Sequence, residues 1–440
     1  MKNKIILLIV GFVFVCFLSK AQGNFLWGKD IGGLGGYDDG YSTAVDAAGN
    51  IYTTGNFLGT VDFDPGPGVY TLTAVGQQDI FICKLDASGN FVWAKKIGGI
   101  AYDSGRSITV DASGNVYTTG FFMIAADFDP GLGVYNLTSV SVQDIFLSKL
   151  DASGNFVWAK NMGGSTGDIG YSIAVDAGSN VYSTGTFQGM VDFDPGPGVY
   201  TLTTSGAFIS KLDASGNFVW AKQFTLSDSH SIALDQVGNV YTTGLFYNTT
   251  DFDPGAGVYN LIALGLNSDV FISKLDASGN FIWAKQLGGI GEDVSNSIAI
   301  DLMGNVYTTG YFNVTADFDP GVGVNNMISI GTDDVFVSKL DALGTFVWAK
   351  QLGGASADVS QSVAVDLVGN VYTSGYFIGT ADFDPGVGVY NLSSALSSED
   401  IFISKLDPLG LLFGLKTLMD SLLIVVSQFI IIVIQFQLML

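Results

Sequence analysis

The sequence predicts an all-β chain of six repeated units, each a four-stranded sheet, stacked radially as a β-propeller. Three observations lead there. All six Trp residues (Trp27, Trp93, Trp158, Trp220, Trp283 and Trp348) lie in versions of one phrase, "NFVWAK", at intervals of 62–66 residues. Self-similarity at a fixed period marks a repeat architecture. The runs between turns are β-branched and aromatic, of strand length and without helical periodicity. Gly is abundant, 58 of 440 residues, and Pro scarce at 9, which suits many tight turns and few stiff linkers.

In chain order, the first element is a leader. Lys2 and Lys4 precede an apolar run over 5–18, and Ser19-Lys20-Ala21 has the small-x-small form of a cleavage site. Residues 1–21 therefore read as a secretory signal peptide, and the run is short for a membrane span. The mature chain then keeps only Cys83, so no internal disulfide is expected. The expected location is the medium or the cell surface.

Residues 22–408 read as the propeller. In one unit "SITV" (107–110) and "NVYTTGFF" (115–122) flank the turn "DASG", and "DIFLSKL" (144–150) and "NFVWAK" (155–160) flank another. Side chains alternate along a strand, so Ile145 and Leu147 face one way, Phe146 and Leu150 the other. A sheet apolar on both faces must be covered on both, and radial stacking of four-stranded sheets does that. A solenoid fits less well, since its units usually run ~20–45 residues. The region opens with "NFLWGKDIGG" (24–33), a Trp strand without partners, and ends at "DIFISKLD" (400–407), which lacks its Trp strand. The first Trp strand is expected to complete the last sheet and close the ring.

The phrases "SIAVDxxGNVYTTG" and "DIFISKLDASGNFVWAK", recurring in order over 24–408, resemble the secreted bacterial β-propeller repeat family, SBBP. The resemblance implies a propeller exported to the surface or medium, and it brings no catalytic residue with it. Family members often carry a C-terminal sorting domain for type IX secretion. The "LDASGNFVW" phrase is also similar to the Trp-docking phrase of quinoprotein dehydrogenases, with a shorter Asp86-to-Gly89 spacing. It is read as shared mechanics, the indole packing across the contact between blades.

Charge excludes some functions. The formal net charge is −23, with 41 acidic and 18 basic side chains, and only Glu292 and Glu399 among the acids are not Asp. Such a surface repels nucleic acid and anionic lipid. The permitted partners are a protein or carbohydrate at the cell surface; no cofactor is required, and calcium is the one the charge permits. The best chemical candidate is "DFDPG", which occurs six times. Its carboxylates alternate with Phe and so point the same way in an extended segment. The calcium candidates are Asp62 and Asp64, Asp127 and Asp129, Asp192 and Asp194, Asp251 and Asp253, Asp317 and Asp319, and Asp382 and Asp384. The competing reading is structural: one Asp caps the turn and the Phe anchors the loop.

No catalytic residue is expected, because one site on a symmetric scaffold needs residues that break the symmetry. The odd residues are few. His230 is read as a rim residue, Cys83 as packed inside a strand, and Arg106 as a solvated charge. The competing class is a propeller-type enzyme, a lyase, glycosidase or quinoprotein.

The tail over 409–440 departs from the pattern. Residues 422–440 carry no charge and are long enough to span a bilayer, so they make the chain a membrane-anchored surface protein if genuine. A different origin fits better. "GTFVWAK" (344–350) written in codons and stripped of one base reads "GLLFGLK", the sequence at 410–416, with position 414 where the Trp belongs. Residues 411–440 are therefore expected to be an out-of-frame reading, and the codons of the gene test that.

Overall fold

The computed structural model describes residues 28–33, 38–395 and 398–418, and every helix or strand among them is a β-strand. Unit 2 shows the plan. Its strands Ser104–Val110, Val116–Phe122, Asp144–Leu150 and Phe156–Gly164 pair antiparallel in chain order. The expected strands agree with these, the fourth running on to a glycine pair. The order recurs over 39–99, 169–225, 227–289, 293–354 and 358–418, called here units 1 and 3 to 6.

The turns explain the strand limits. Asp111 Oδ1 accepts hydrogen bonds from Ser113 N and Asn115 N, each 2.9 Å. Its Oδ2 accepts from Asn115 Nδ2 at 2.8 Å and Tyr117 Oη at 2.9 Å. One carboxylate thus satisfies the turn amides and ties the turn to the second strand. The second turn works alike through Asp151, and Gly154 closes it at φ +78°, a left-handed position.

A short hairpin, Ala125–Asp127 with Asn136–Thr138, lies between the second and third strands of unit 2. It carries "DFDPG" and pairs with unit 1, Ala126 opposite Gly99 and Asp127 opposite Gly98. The hairpins of units 2, 3, 5 and 6 so lend a neighbour extra strands, while that of unit 4 (Thr249–Asp251 with Asn260–Ile262) pairs only with itself. The sequence did not announce them because they are only two or three residues long.

The core lies between units. Ile145 and Leu147 pack with Ile173, Phe187 and Phe208 of unit 3. Phe146 and Leu150 pack with Tyr52, Ile80 and Ile82 of unit 1. The two faces expected from alternation therefore serve two neighbours. First strands also lie side by side: Ser42 Oγ accepts from Ile108 N at 3.2 Å, and Ser107 Oγ from Ile173 N at 3.3 Å. The series continues through Ser172, Ser231 and Ser297.

The ends depart from expectation. The fourth place in the sixth sheet is held by Leu412–Leu418, paired with Glu399–Leu406, and not by the N-terminal Trp strand. Gly32–Gly33 pairs instead with Val61 and Asp62, as Gly98 and Gly99 do with unit 2. The physical reason is proximity along the chain. The turn at Asp407 is intact, with Gly410 N on its carbonyl at 2.9 Å, so a short hairpin closes at far less entropic cost than a strand from the other terminus. The sheet accordingly continues past residue 408. The signal-peptide segment 1–21, Trp27 and the apolar run 422–440 lie outside the described residues.

Candidate functional site

Three constellations arise at the contacts between units. The first is the Trp clamp. Trp93 on the fourth strand of unit 1 donates from Nε1 to Ala152 O, 3.4 Å, in the "DASG" turn of unit 2. Trp158, Trp220 and Trp348 reach Ala214 O, Ala277 O and Pro408 O in the same way, at 3.3, 3.3 and 3.1 Å. Trp283 sits alike beneath Gly344, although its Nε1 is buried without a partner. Each indole meets a buried Tyr edge-on, as in Tyr52–Trp93 at 6.2 Å, while Lys84 Nζ lies 4.8 Å from the same Tyr ring centre. The expectation that the indole packs between units is realised in these five. In the sixth sheet Gly414 stands opposite Lys405, where Trp93 stands opposite Lys84.

The "DFDPG" loops use their carboxylates on themselves. Asp62 Oδ1 accepts from Asp64 N at 3.0 Å and Tyr70 N at 2.8 Å, and Asp64 Oδ1 accepts from Gly66 N at 2.8 Å. Asp127 with Asp129, and Asp192 with Asp194, repeat the pattern. So do Asp251 with Asp253, Asp317 with Asp319, and Asp382 with Asp384. The central Phe is fully buried, Phe128 lying edge-on to Phe122 at 5.4 Å. Each loop is thus a capped turn with an aromatic anchor.

The second constellation was not read from the sequence. A buried Asp opens the third strand of most units, and another precedes or opens the first strand of the next. Asp144 faces Asp168, and Asp269 faces Asp293. Burial, and then the neighbouring carboxylate, push Asp168 up to about 6 and Asp293 up to about 7, against amides that donate to both. Burial likewise raises Asp269 to about 6. The signal lay in the recurring "DIF", "LGG" and Asp before "VS" or "IG", phrases that read as ordinary strand ends.

The third constellation lies on the first strands. Each has a β-bulge, the ladder register shifting at one residue: Tyr41, Arg106, Tyr171, His230, Asn296 and Gln361. All six are partly exposed, and no two neighbouring units carry the same side chain there. They reach one another along the row. Arg106 stacks 4.3 Å from the Tyr41 ring centre, and Tyr171 meets His230 edge-on at 5.8 Å. His230 Nδ1 lies 3.1 Å from Ser295 O, and Asn296 Nδ2 donates to Ser360 O at 2.9 Å. Burial holds His230 below its usual pKa, opposed by Asp228 and by the bonds to Ser295 and Asn296. Arg106 is therefore not a free solvated charge: its Nε is buried between rings without a partner. Cys83 is packed as expected, and burial pushes its thiol up to about 12.

A family model described as a beta-propeller repeat, SBBP, matches residues 92–120, 282–319 and 347–379. The chain carries SBBP beta-propeller repeats. Each match begins one residue before a Trp and crosses a contact between units, so the recognised repeat includes the Trp but not the turn that its indole meets, at Ala152 or Pro408. An uncharacterized WD repeat-containing protein, L264 of Acanthamoeba polyphaga mimivirus, is 26% identical over 80% of this chain and 31% of its own. The regulatory protein FlaEY of Caulobacter vibrioides is 26% identical over 36% of this chain and 17% of its own. The chain thus spans less than a third of the length of these curated relatives. Among solved structures, the Dos1 propeller aligns with a TM-score of 0.40 and 9% identity over 84% of this chain and 79% of that one. A Bacteroides caccae protein of unknown function aligns with a TM-score of 0.37 and 9% identity, over 77% and 89%.

Proposed function

We propose that this chain is an exported, non-catalytic β-propeller whose bulge row binds a ligand at the cell surface. One observation carries the reading. Every unit keeps a Gly or Ser before the bulge and a Ser after it, yet the bulge itself changes from Tyr to Arg, Tyr, His, Asn and Gln. Bulges re-aim side chains next to functional sites, and asymmetric polar residues are what a symmetric scaffold needs to recognise one molecule. Aromatic faces beside amide and guanidinium donors suit a hydroxyl- or carboxylate-bearing ligand, such as a surface glycan. The acidic surface argues against nucleic acid. Export is supported by the basic and apolar leader and by the SBBP repeats. Among the described residues no helix is long and apolar enough to cross a membrane. Membrane attachment would rest on 422–440, and fractionation of a chain ending at 418 tests it.

A glycan array probed with the purified chain and with an Arg106→Ala/His230→Ala/Asn296→Ala variant tests the binding site. Binding that drops at least tenfold in the variant supports the reading. Binding that persists there but is lost on substituting Asp127 and Asp129 would move the site to the outer loops. Turnover of a bound glycan would put the chain in the enzyme class instead.

A further inference from the structure

We propose that the carboxylate pairs Asp144–Asp168 and Asp269–Asp293 each bind one divalent cation of the calcium type between neighbouring units. The argument begins with glycine. A Cβ on Gly288 would stand 2.8 Å from Asp269 Cγ and 2.8 Å from Asp293 Oδ2, so both carboxylates converge on one bare Cα. A Cβ on Gly163 would lie 2.0 Å from Asp144 Cγ, and Asp168 N donates to Gln143 O at 3.0 Å, which holds the second acid of that pair beside the first. All four side chains are fully buried.

Their hydrogen bonds leave a specific gap. Asp293 Oδ2 accepts from Gly289 N at 2.7 Å and Oδ1 from Asn313 N at 3.3 Å. Asp168 is held likewise by Gly164 N at 2.9 Å and Gln188 N at 3.0 Å. Asp144 Oδ2 accepts from Val140 N and Asn161 Nδ2, and Asp269 Oδ2 from Leu264 N and Gln286 Nε2. Oδ1 of Asp144 and Oδ1 of Asp269 are buried with no partner at all. A buried anionic oxygen facing a second carboxylate is costly unless a positive species joins them.

The other contacts show how this chain meets the same demand differently. Between units 1 and 2, Lys96 Nζ lies 3.2 Å from Asp79 Oδ2 and supplies the positive charge, where the two proposed sites have the neutral Asn161 and Gln286. Asp79 Oδ1, like Oδ1 of Asp144 and Asp269, has no hydrogen-bond partner. Between units 5 and 6, Gly331 N donates to Asp334 Oδ1 at 3.2 Å, so that oxygen is not orphaned. Between units 3 and 4 everything changes together: Gly206 and Ser227 stand where the acids belong, and Thr225 stands at the bare glycine. Acids that vanish as a pair, along with the glycine they converge on, act as a unit. Among the described residues no three acidic, His or Cys side chains gather, so backbone carbonyls and water would complete the coordination shell.

Calorimetric titration of the chelator-stripped chain with Ca2+ at pH 7.5 tests this. Two sites are expected, with a thermal midpoint that rises with Ca2+. The triple change Asp144→Gly/Gly163→Thr/Asp168→Ser installs the neutral arrangement the chain already uses between units 3 and 4, and should fold and bind half as much calcium. An Asp127→Asn/Asp129→Asn variant should bind as the parent does. The proposal fails if calcium gives neither heat nor a midpoint shift, or if the loop variant loses binding and the triple variant keeps it.

Discussion

At the scale of the residue, two side chains do unlike things with similar prominence. Trp93 was legible because it is rare and periodic, and the structure gives it the role expected, clamping the next unit through Ala152 O. Its indole also sits against Gly154, where an added Cβ would stand only 3.2 Å from the ring. Trp93→Ala should destabilise the chain by about 3–5 kcal/mol in urea unfolding, from lost transfer energy and the cavity left behind. A change under about 0.5 kcal/mol would contradict the clamp. Asp144 and Asp168 were not legible, although their like recur in most units. An Asp at a strand end reads as a turn residue, and only the approach of two strands 24 positions apart makes a pair of it.

At the scale of the element, alternation in "DIFLSKL" assigned each face correctly, since period two leaves no freedom once a strand is granted. The hairpins carrying "DFDPG" escaped notice because strands of three residues have no readable pattern, and their pairing partner lies in another unit. The sixth sheet shows the same limit. Its fourth strand, Leu412–Leu418, holds Gly414 in the Trp position with open space around the Cα. Tyr372 beside it is partly exposed, where Tyr52, Tyr117, Tyr182, Tyr241 and Tyr307 are fully buried. Gly414→Trp should therefore stabilise the chain by about 1–3 kcal/mol, through apolar burial and the loss of a strand glycine. The new indole should emit at a buried wavelength. Emission typical of exposed Trp, with no gain in stability, would mean that this strand does not seat a Trp as the others do.

At the scale of the whole molecule, repetition multiplies small effects. The turn carboxylates at Asp46, Asp111, Asp176 and Asp366 are desolvated, which raises their pKa. Bonds from Asn side chains, Tyr hydroxyls and turn amides more than reverse this, so each is held below the usual carboxylate range. A folded-state pKa below the unfolded one gives stability that is present above about pH 4 and lost as pH falls through the folded value. Urea unfolding should show a steep loss of stability below about pH 4, and a combined Asp46→Asn/Asp111→Asn/Asp176→Asn variant should show a shallower one. Equal slopes would remove these turns as the cause.

The sequence by itself determined what is local or periodic: an all-β chain of repeated units, their turns, the two apolar faces and the recurring Trp. Each follows from propensity or alternation within some ten residues, where chain geometry leaves little choice. The tertiary structure alone decided what depends on distant segments meeting. That includes the paired acids between units, the row of bulge residues running from Tyr41 to Gln361, and the choice of Leu412–Leu418 over the N-terminal strand. Those outcomes turn on which backbone edges come within hydrogen-bonding distance and on which hairpin closes at the lower entropic cost.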